Sequence, residues 1–180
     1  MNVIEKAKPG VSTKNLVITA LFIALSLVGS HIKIFGSIAF DSLPGFLAAL
    51  LLGPVYGAVI GFLGHIFTAL SSGFPLSVPM HIVIAATMAV TMFGFGFVYK
   101  ALHERLQMVS TLIITGIVGI VLNGPVSLAF SMGTMAIMLG VEAALGLLTL
   151  LPILVLAATA NVAICIIVFK PLEAIWRKSR

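Results

Sequence analysis

Seven polar or ionisable side chains lie in or beside long apolar stretches of this sequence, where such groups are costly. An ionisable group at membrane depth costs at least about 2.5 kcal/mol and usually marks a function. With the N-terminus in the cytoplasm, all seven fall at or near the outer ends of the predicted helices. For Lys33 and Asp41, ordinary interfacial solvation is an alternative, with Asp41 or Ser42 capping a helix ahead of Pro44. The seven are His31, Lys33, Asp41, His65, His81, Asn123 and Glu142.

Several polar positions allow two interpretations. The run Asn123-Gly124-Pro125 interrupts an apolar stretch, and proline removes a backbone donor. This run is therefore either a structural kink or part of a cavity that presents the Asn123 amide. His65 is either a hydrogen-bonded core histidine or a donor in a cavity. His81 lies one turn into a helix and faces either the cavity or the headgroups, while the lone amide of Asn161 is expected to line the interior.

Composition identifies the elements that must position these groups. The 180 residues are 61% hydrophobic and 8% charged, whereas a soluble domain is about 25% charged. This excludes a soluble domain, a disordered chain and a soluble nucleic-acid binder. A membrane helix needs about 20 residues, so one domain over residues 1–180 fits about six crossings. We predict an all-α integral membrane protein with six transmembrane helices at about 15–30, 42–52 (unusually short), 55–70, 80–102, 109–132 and 151–169, and a re-entrant or loop-like cap over 133–148.

Basic residues predict the orientation, because Lys and Arg concentrate on the cytoplasmic side of a membrane protein. With both termini cytoplasmic, nine of the ten Lys and Arg residues lie on that side and Lys33 lies outside. An odd number of crossings would place one basic terminus outside, so six crossings with cytoplasmic N- and C-termini are favoured. The nine are Lys6, Lys8, Lys14, Lys100, Arg105, Lys170, Arg177, Lys178 and Arg180.

The sequence contains no common motif for energy coupling or catalysis. The patterns GxxxxGK[ST], HExxH, CxxC and GxSxG are absent, and the four histidines lack the spacing of metal ligands. A binding protein powered by partners is therefore the preferred interpretation. Two alternatives stay open: an intramembrane enzyme that uses Asp41, His65, His81 or Glu142 as acid or base, and a dimeric secondary transporter.

The first predicted helix carries small residues at Ala20 and Ala24, a spacing that lets two helices approach closely. Together with six helices, about 180 residues and a basic tail, this pattern resembles the substrate-binding S components of energy-coupling factor (ECF) vitamin transporters over the whole chain. The resemblance implies a multi-pass protein of a prokaryotic plasma membrane that captures a vitamin from outside. It implies docking, through Ala20 and Ala24, on a transmembrane T component with two ATPases. Those partners would use the ATP, and this chain would hold no cofactor.

The resemblance also implies where the ligand binds: the loop after the first helix, the loop between the third and fourth, and the outer parts of the last three helices. The runs Gly36–Pro44, Gly64-His65 and Ser72–Pro75 look most like the family branch for α-ribazole, the nucleoside of the lower ligand of cobalamin, taken up for cobamide salvage. Its benzimidazole could stack on aromatic rings and its ribose could bond polar groups, although pantothenate or cobalamin would use the same residue types. The implied substrate-binding residues are Phe40, Asp41, His65, Ser72, Phe74, His81, Asn123, Glu142 and Asn161.

Overall fold

Helices make up nearly all of the chain that the structure describes. This structure is a computed structural model that describes residues 12–34 and 38–178, so Lys6, Lys8 and Arg180 lie outside the described residues. Strands β1 (Lys33–Ile34) and β2 (Ile38–Ala39) pair antiparallel. The helices are α1 (Thr13–His31), α2 (Leu43–Leu51), α3 (Pro54–Ser71), α4 (Val78–Leu102), α5 (Met108–Val121), α6 (Ser127–Leu139), α7 (Val141–Gly146) and α8 (Leu151–Lys178), with a π-helical turn at Leu122–Val126 and a 3-10 turn at Leu147–Leu150.

Five helical stretches are long and apolar enough to cross a membrane. Their outer faces carry large exposed apolar side chains, of which Val90, Ile137 and Ile167 are typical. Exposing such apolar surfaces to water is unfavourable, whereas the lipid of a membrane would cover them. The described residues therefore form a multi-span helical membrane protein, as predicted. The five stretches are Thr13–His31, Pro54–Ser71, Val78–Leu102, Met108–Leu139 and Val141–Trp176.

Helix α2 is short and almost wholly buried. Nine helical residues rise about 14 Å, less than half of the ~30 Å of a bilayer core. Pro44 in the first turn and Gly53 after the last, with φ of 108°, set its limits. It packs against α1, α3, α4 and α8, and Phe46 meets Phe95 of α4 with ring centroids 4.7 Å apart. The described structure thus has five stretches long enough to span a membrane and one half-length helix inside the bundle, and the second helix is short, as predicted.

Glycines on α3 allow its neighbours to approach closely. A Cβ atom added to Gly57 would lie 2.5 Å from the Cβ of Ala49 on α2, and one added to Gly64 would lie 2.8 Å from the Cβ of Ser26 on α1. Such separations are too short for real side chains. The small-residue face of this helix is therefore a packing face, and it holds α1 and α2 against α3.

The first helix begins at the end of the bundle where the last helix finishes. The Nζ atom of Lys14 on α1 lies 4.8 Å from the ring centroid of Trp176 on α8. The start of α3 lies there too, because the Asn15 amide donates a hydrogen bond to the Tyr56 hydroxyl at 3.3 Å. We call this the basal end of the bundle, and we call the opposite end, where α3 finishes and α4 begins, the distal end.

Two predicted helix boundaries are wrong. Residues 133–148 do not form a re-entrant or loop-like cap, because α6 continues to Leu139 and α7 leads through a 3-10 turn into α8. The last helix does not stop at residue 169 but passes through Pro171 to Lys178. The ring of buried Phe169 packs edge-on against Tyr99 of α4, with centroids 5.5 Å apart. This contact anchors α8 immediately before the proline, so the lost backbone bond does not end the helix.

Candidate functional site

Polar side chains converge where the chain enters α2, inside the distal half of the bundle. The segment before α2 is not helical, and such backbone is tolerated at membrane depth where protein surrounds it. The Phe40 N–H donates to the Gly29 carbonyl of α1 at 3.1 Å. A Cβ atom at Gly29 would collide with the Phe40 carbonyl, so glycine allows this close approach. Asp41 and Ser42 follow directly, and each reaches a different group of side chains.

Asp41, His65 and His81 form a chain of three ionisable side chains. Asp41 Oδ2 lies 3.8 Å from His65 Nδ1, an ion-pair distance longer than a hydrogen bond. His65 Nε2 lies 3.1 Å from His81 Nδ1, within hydrogen-bond range. His81 is 7% exposed, and its Nε2 atom is buried without a hydrogen-bond partner among the described residues. Because an unpaired buried polar atom is costly, this nitrogen is the leading candidate to bond a ligand.

An aromatic ring covers the histidine pair. Phe74 meets His81 edge-on with ring centroids 5.7 Å apart, while the His65 and His81 rings lie 5.3 Å apart. Phe74 belongs to the loop between α3 and α4, where Gly73, Phe74 and Ser77 have φ angles of 74°, 51° and 85°. Such angles cost about 1–3 kcal/mol in residues other than glycine. The packing of Phe74 on His81 helps to hold this loop in place.

Asn161 caps the N-terminus of α2. Its Oδ1 accepts a hydrogen bond from the Leu43 N–H at 2.9 Å, and its Nδ2 donates to the Ala157 carbonyl at 2.8 Å. The first N–H groups of a helix have no partner within it, and the N-cap residue Ser42 makes no capping bond with its side chain. Asn161 is 1% exposed, so it lines the interior as predicted and supplies this cap from another helix.

The predicted break in the fifth long helix is present as a π-helical turn over Leu122–Val126 that contains Pro125. Proline and π-helical turns are recognised causes of helix kinks. The Asn123 amide donates to the Ser42 hydroxyl at 3.4 Å, which joins this turn to the start of α2. Asn123 lies near the middle of the Met108–Leu139 span. Its predicted position near the outer end of a helix is therefore wrong.

Other predicted residues make no side-chain hydrogen bond, ion pair or ring contact with this cluster among the described residues. Glu142 on α7 and Ser72 at the end of α3 are exposed. His31 is exposed and bonds through Nδ1 to a carbonyl of its own helix at 3.0 Å. Lys33 lies in β1, but its side chain is outside the described part of the structure. Phe40 is half-buried and contributes its backbone bond, so a ligand role for any of these residues stays a prediction.

Two further polar residues lie beside members of the cluster, although neither was predicted to contact the ligand. Ser42 is buried and accepts the hydrogen bond from Asn123. Thr68 follows His65 by three residues, a spacing that places both on one side of α3. Its hydroxyl is buried without a hydrogen-bond partner among the described residues. That three-residue spacing from a histidine is the sequence signal that could have identified Thr68.

A cavity of about 550 Å³ lies at the basal end, away from this cluster. Tyr99 in its wall follows His81 by 18 residues on α4, a separation of about 27 Å along the helix. No sequence pattern predicted this cavity. Its walls combine apolar, aromatic and charged side chains: Ala49, Leu50, Leu51, Leu52, Gly53, Pro54, Val55, Tyr56, Gly96, Tyr99, Lys100, His103, Glu173 and Trp176.

Ala20 and Ala24, the predicted docking residues, are both exposed on α1. Their neighbours Leu21, Leu25 and Val28 are exposed by more than half. The opposite side of α1 packs against α2 and α3. The face that carries the two alanines is therefore open to lipid or to another protein within the described structure.

Comparison with known families agrees with this architecture. The family model described as ECF transporter, substrate-specific component matches residues 14–173, which include α1 except its first residue, α2 to α7, and most of α8. No curated protein sequence matches the chain. The family match confirms the resemblance drawn from the sequence at the level of the family. The chain therefore belongs to the family of substrate-specific components of ECF transporters.

Proposed function

We propose that this chain captures α-ribazole, a vitamin precursor, from outside the cell and delivers it for cobamide salvage as the substrate-specific subunit of an ECF importer. The observation that carries the proposal is the buried His81 ring, whose Nε2 has no hydrogen-bond partner among the described residues and which has an aromatic neighbour in Phe74. A benzimidazole nucleoside combines a flat ring, which stacks on aromatic side chains, with hydroxyls that bond to nitrogen and oxygen acceptors. Pantothenate and cobalamin are the alternative cargoes.

Binding requires Phe74 to give way, because its ring lies against His81. The positive φ angles of Phe74 and Ser77 support a movement of Phe74. A loop that holds such strained angles gives up less stability when it rearranges than an unstrained loop would. An incoming ring then replaces the contact that Phe74 makes, and a ligand hydroxyl bonds the free nitrogen of His81. Asn123, bonded at 3.4 Å to Ser42, adds an amide with both a donor and an acceptor on the adjoining side.

Orientation and partners complete the proposal. The basal end, with Lys14 and Lys100, faces the cytoplasm of a prokaryote, and the distal end faces outward. The short α2 and the connection before it together make up the second of six crossings, which leaves both termini in the cytoplasm. Ala20 and Ala24 dock on a transmembrane T component, whose two ATPases supply the energy. This chain needs no cofactor of its own for binding.

Calorimetry on the purified chain in nanodiscs tests the substrate. We expect α-ribazole to bind and pantothenate and cobalamin to bind more weakly or not at all. His81→Ala should weaken α-ribazole binding roughly three- to hundredfold, the range for loss of one hydrogen bond. His103→Ala is the matched control, because His103 lies at the basal end and should leave the affinity unchanged.

Two results would contradict this proposal. Equal affinity in the wild type and His81→Ala would place the binding site elsewhere, including the basal cavity. Mass spectrometry of the recovered α-ribazole separates binding from catalysis, because an intramembrane enzyme would return a modified molecule in the absence of partners.

A further inference from the structure

We propose that Asp41, acting through His65, fixes the side of the His81 ring that carries the proton, so that His81 Nε2 is a hydrogen-bond acceptor for a hydroxyl or N–H group of the ligand. The inference rests on the proposed function for the existence of a ligand at His81. It assigns Asp41 and His65 as positioning residues and leaves the ligand contact to His81. From the sequence, all three stand among the implied substrate-binding residues, with His65 left open between a core histidine and a donor in a cavity.

The bond between the two histidines restricts where their protons can lie. A neutral imidazole has one N–H donor and one acceptor nitrogen. The 3.1 Å separation of His65 Nε2 and His81 Nδ1 therefore requires a proton on one of these atoms and a lone pair on the other. Two arrangements satisfy this bond, and they leave opposite properties on the unpaired His81 Nε2.

Asp41 selects between these arrangements. Its carboxylate Oδ2 lies 3.8 Å from His65 Nδ1, and a negative charge at this distance favours a proton on the nearer nitrogen. His65 Nε2 is then the acceptor, so His81 Nδ1 must donate. The remaining nitrogen, His81 Nε2, carries a lone pair. In the other arrangement, a lone pair on His65 Nδ1 would face the carboxylate.

Burial makes this arrangement relevant to specificity. The His65 side chain is 12% exposed and Asp41 is 20% exposed, so water screens the charge only in part. His81 Nε2 is fully buried and has no partner among the described residues. It accepts a bond from a ligand O–H or N–H and disfavours a carboxylate or phosphate, which present only acceptors. A nucleoside whose sugar hydroxyls are uncharged meets this requirement.

Nitrogen NMR tests the arrangement without a ligand. The chain is labelled with ¹⁵N-histidine and measured at about pH 8.5, where histidine side chains are ordinarily neutral. Protonated and unprotonated ring nitrogens give separate resonances, and spectra of His31→Gln and His103→Gln assign the two histidines outside the pair. We expect both His65 and His81 to carry the proton on Nδ1. A proton on His81 Nε2 in the wild type would overturn the proposal.

Asp41→Asn tests the positioning role. The amide keeps the shape of the carboxylate but removes its charge, and the corresponding change in a Ser-His-Asp triad gives the wrong histidine tautomer. We expect a measurable fraction of His81 to move its proton to Nε2, and α-ribazole binding to weaken in proportion to the tautomer that is lost, by about tenfold if nine-tenths of His81 changes. Glu104→Gln is the matched control, because Glu104 also lies 3.8 Å from a histidine, His103, outside this site.

The outcomes separate this inference from the proposed function. Unchanged tautomers in Asp41→Asn, or unchanged α-ribazole affinity in that variant, would overturn the role of Asp41. If the wild type binds no α-ribazole, the proposed substrate is wrong, whereas the wild-type tautomers still decide the arrangement of protons. Equal effects of Asp41→Asn and Glu104→Gln would show that any loss of negative charge is sufficient, and this too would refute the inference.

Discussion

Replacing Asn161 by leucine should destabilise the protein, because this side chain completes the hydrogen bonding of another helix. Leucine has a similar size but cannot accept the bond from the Leu43 N–H, which is now made at 2.9 Å. Lipid and packed side chains around α2 offer no water to replace it. The perturbation therefore leaves a buried backbone donor without a partner, at the N-terminus of a helix that is itself buried.

The expected loss is estimated from two hydrogen bonds that the Asn161 side chain makes with described residues. An unsatisfied buried N–H costs about 1–3 kcal/mol. The second bond, from Nδ2 to the Ala157 carbonyl at 2.8 Å, adds little, because that carbonyl also accepts the backbone N–H of residue 161 within α8. Measured hydrogen bonds between membrane helices average about 0.6 kcal/mol, which favours a loss near the lower end of this range. We expect Asn161→Leu to lower the free energy of unfolding by about 1–3 kcal/mol.

Unfolding in mixed detergent micelles measures this effect. The signal is the fluorescence of Trp176, the single tryptophan of the sequence. Trp176 follows Asn161 by 15 residues, or about 22 Å along α8, so its fluorescence reports global unfolding rather than the local change. Thr159→Val is the matched control. Thr159 is an exposed α8 residue whose hydroxyl bonds to its own helix at 2.7 Å, and we expect a change within about 0.5 kcal/mol.

A stability of Asn161→Leu within 0.5 kcal/mol of the wild type, a margin of the order expected for neutral surface changes, would refute the capping argument. If the same variant lost α-ribazole affinity at unchanged stability, Asn161 would be a ligand contact, as the sequence analysis implied, rather than the cap of α2.

Substitutions of small residues give further predictions. Gly57→Ala should destabilise the protein by about 1–3 kcal/mol in the same unfolding assay, because its Cβ would lie 2.5 Å from that of Ala49. Gly133→Ala, with no atom within 4 Å of the added Cβ, should instead stabilise α6 by up to about 1 kcal/mol, and a loss there would contradict the open space at this position. Ala24→Leu should abolish co-purification with the T component while α-ribazole binding persists, since a larger side chain keeps helices apart. Ala163→Leu, on an exposed part of α8, should retain the partner, and retention by both variants would remove α1 as the docking face.

Much of the fold could be predicted from the sequence, because lipid imposes a strong compositional pattern on spanning helices. The short second helix followed from Gly53-Pro54, and the break in the fifth followed from Pro125; both are present. The segment 133–148 was misjudged because its glycines and polar residues resemble a loop. Gly133 is exposed on α6, where a glycine costs only about 1 kcal/mol and does not end a helix.

The sequence predicts which residue types form the site but not which of these side chains contact one another. His65, His81 and Asp41 stood out because they are ionisable residues among apolar ones. Their contacts depend on how α3, α4 and the start of α2 pack, which local sequence does not encode. The partner of Asn161 is 118 residues away in the chain, and no spacing rule relates the two. Ser42 was therefore seen only as a helix cap.

The distance in sequence between Leu43 and Asn161 also affects the order in which this protein can be completed during synthesis. Helix α2 leaves the ribosome early, yet the acceptor for its first N–H lies on α8, the last helix to be made. Nine apolar residues are too few to be inserted as an independent span. We therefore expect α2 to enter the bilayer in company with α3, joined by the tight turn at Gly53, and to reach its final hydrogen bonding only after α8 has been inserted. In a nascent chain arrested before α8, the first N–H of α2 would lack its acceptor. We expect quality-control proteases to recognise such a chain as incompletely folded.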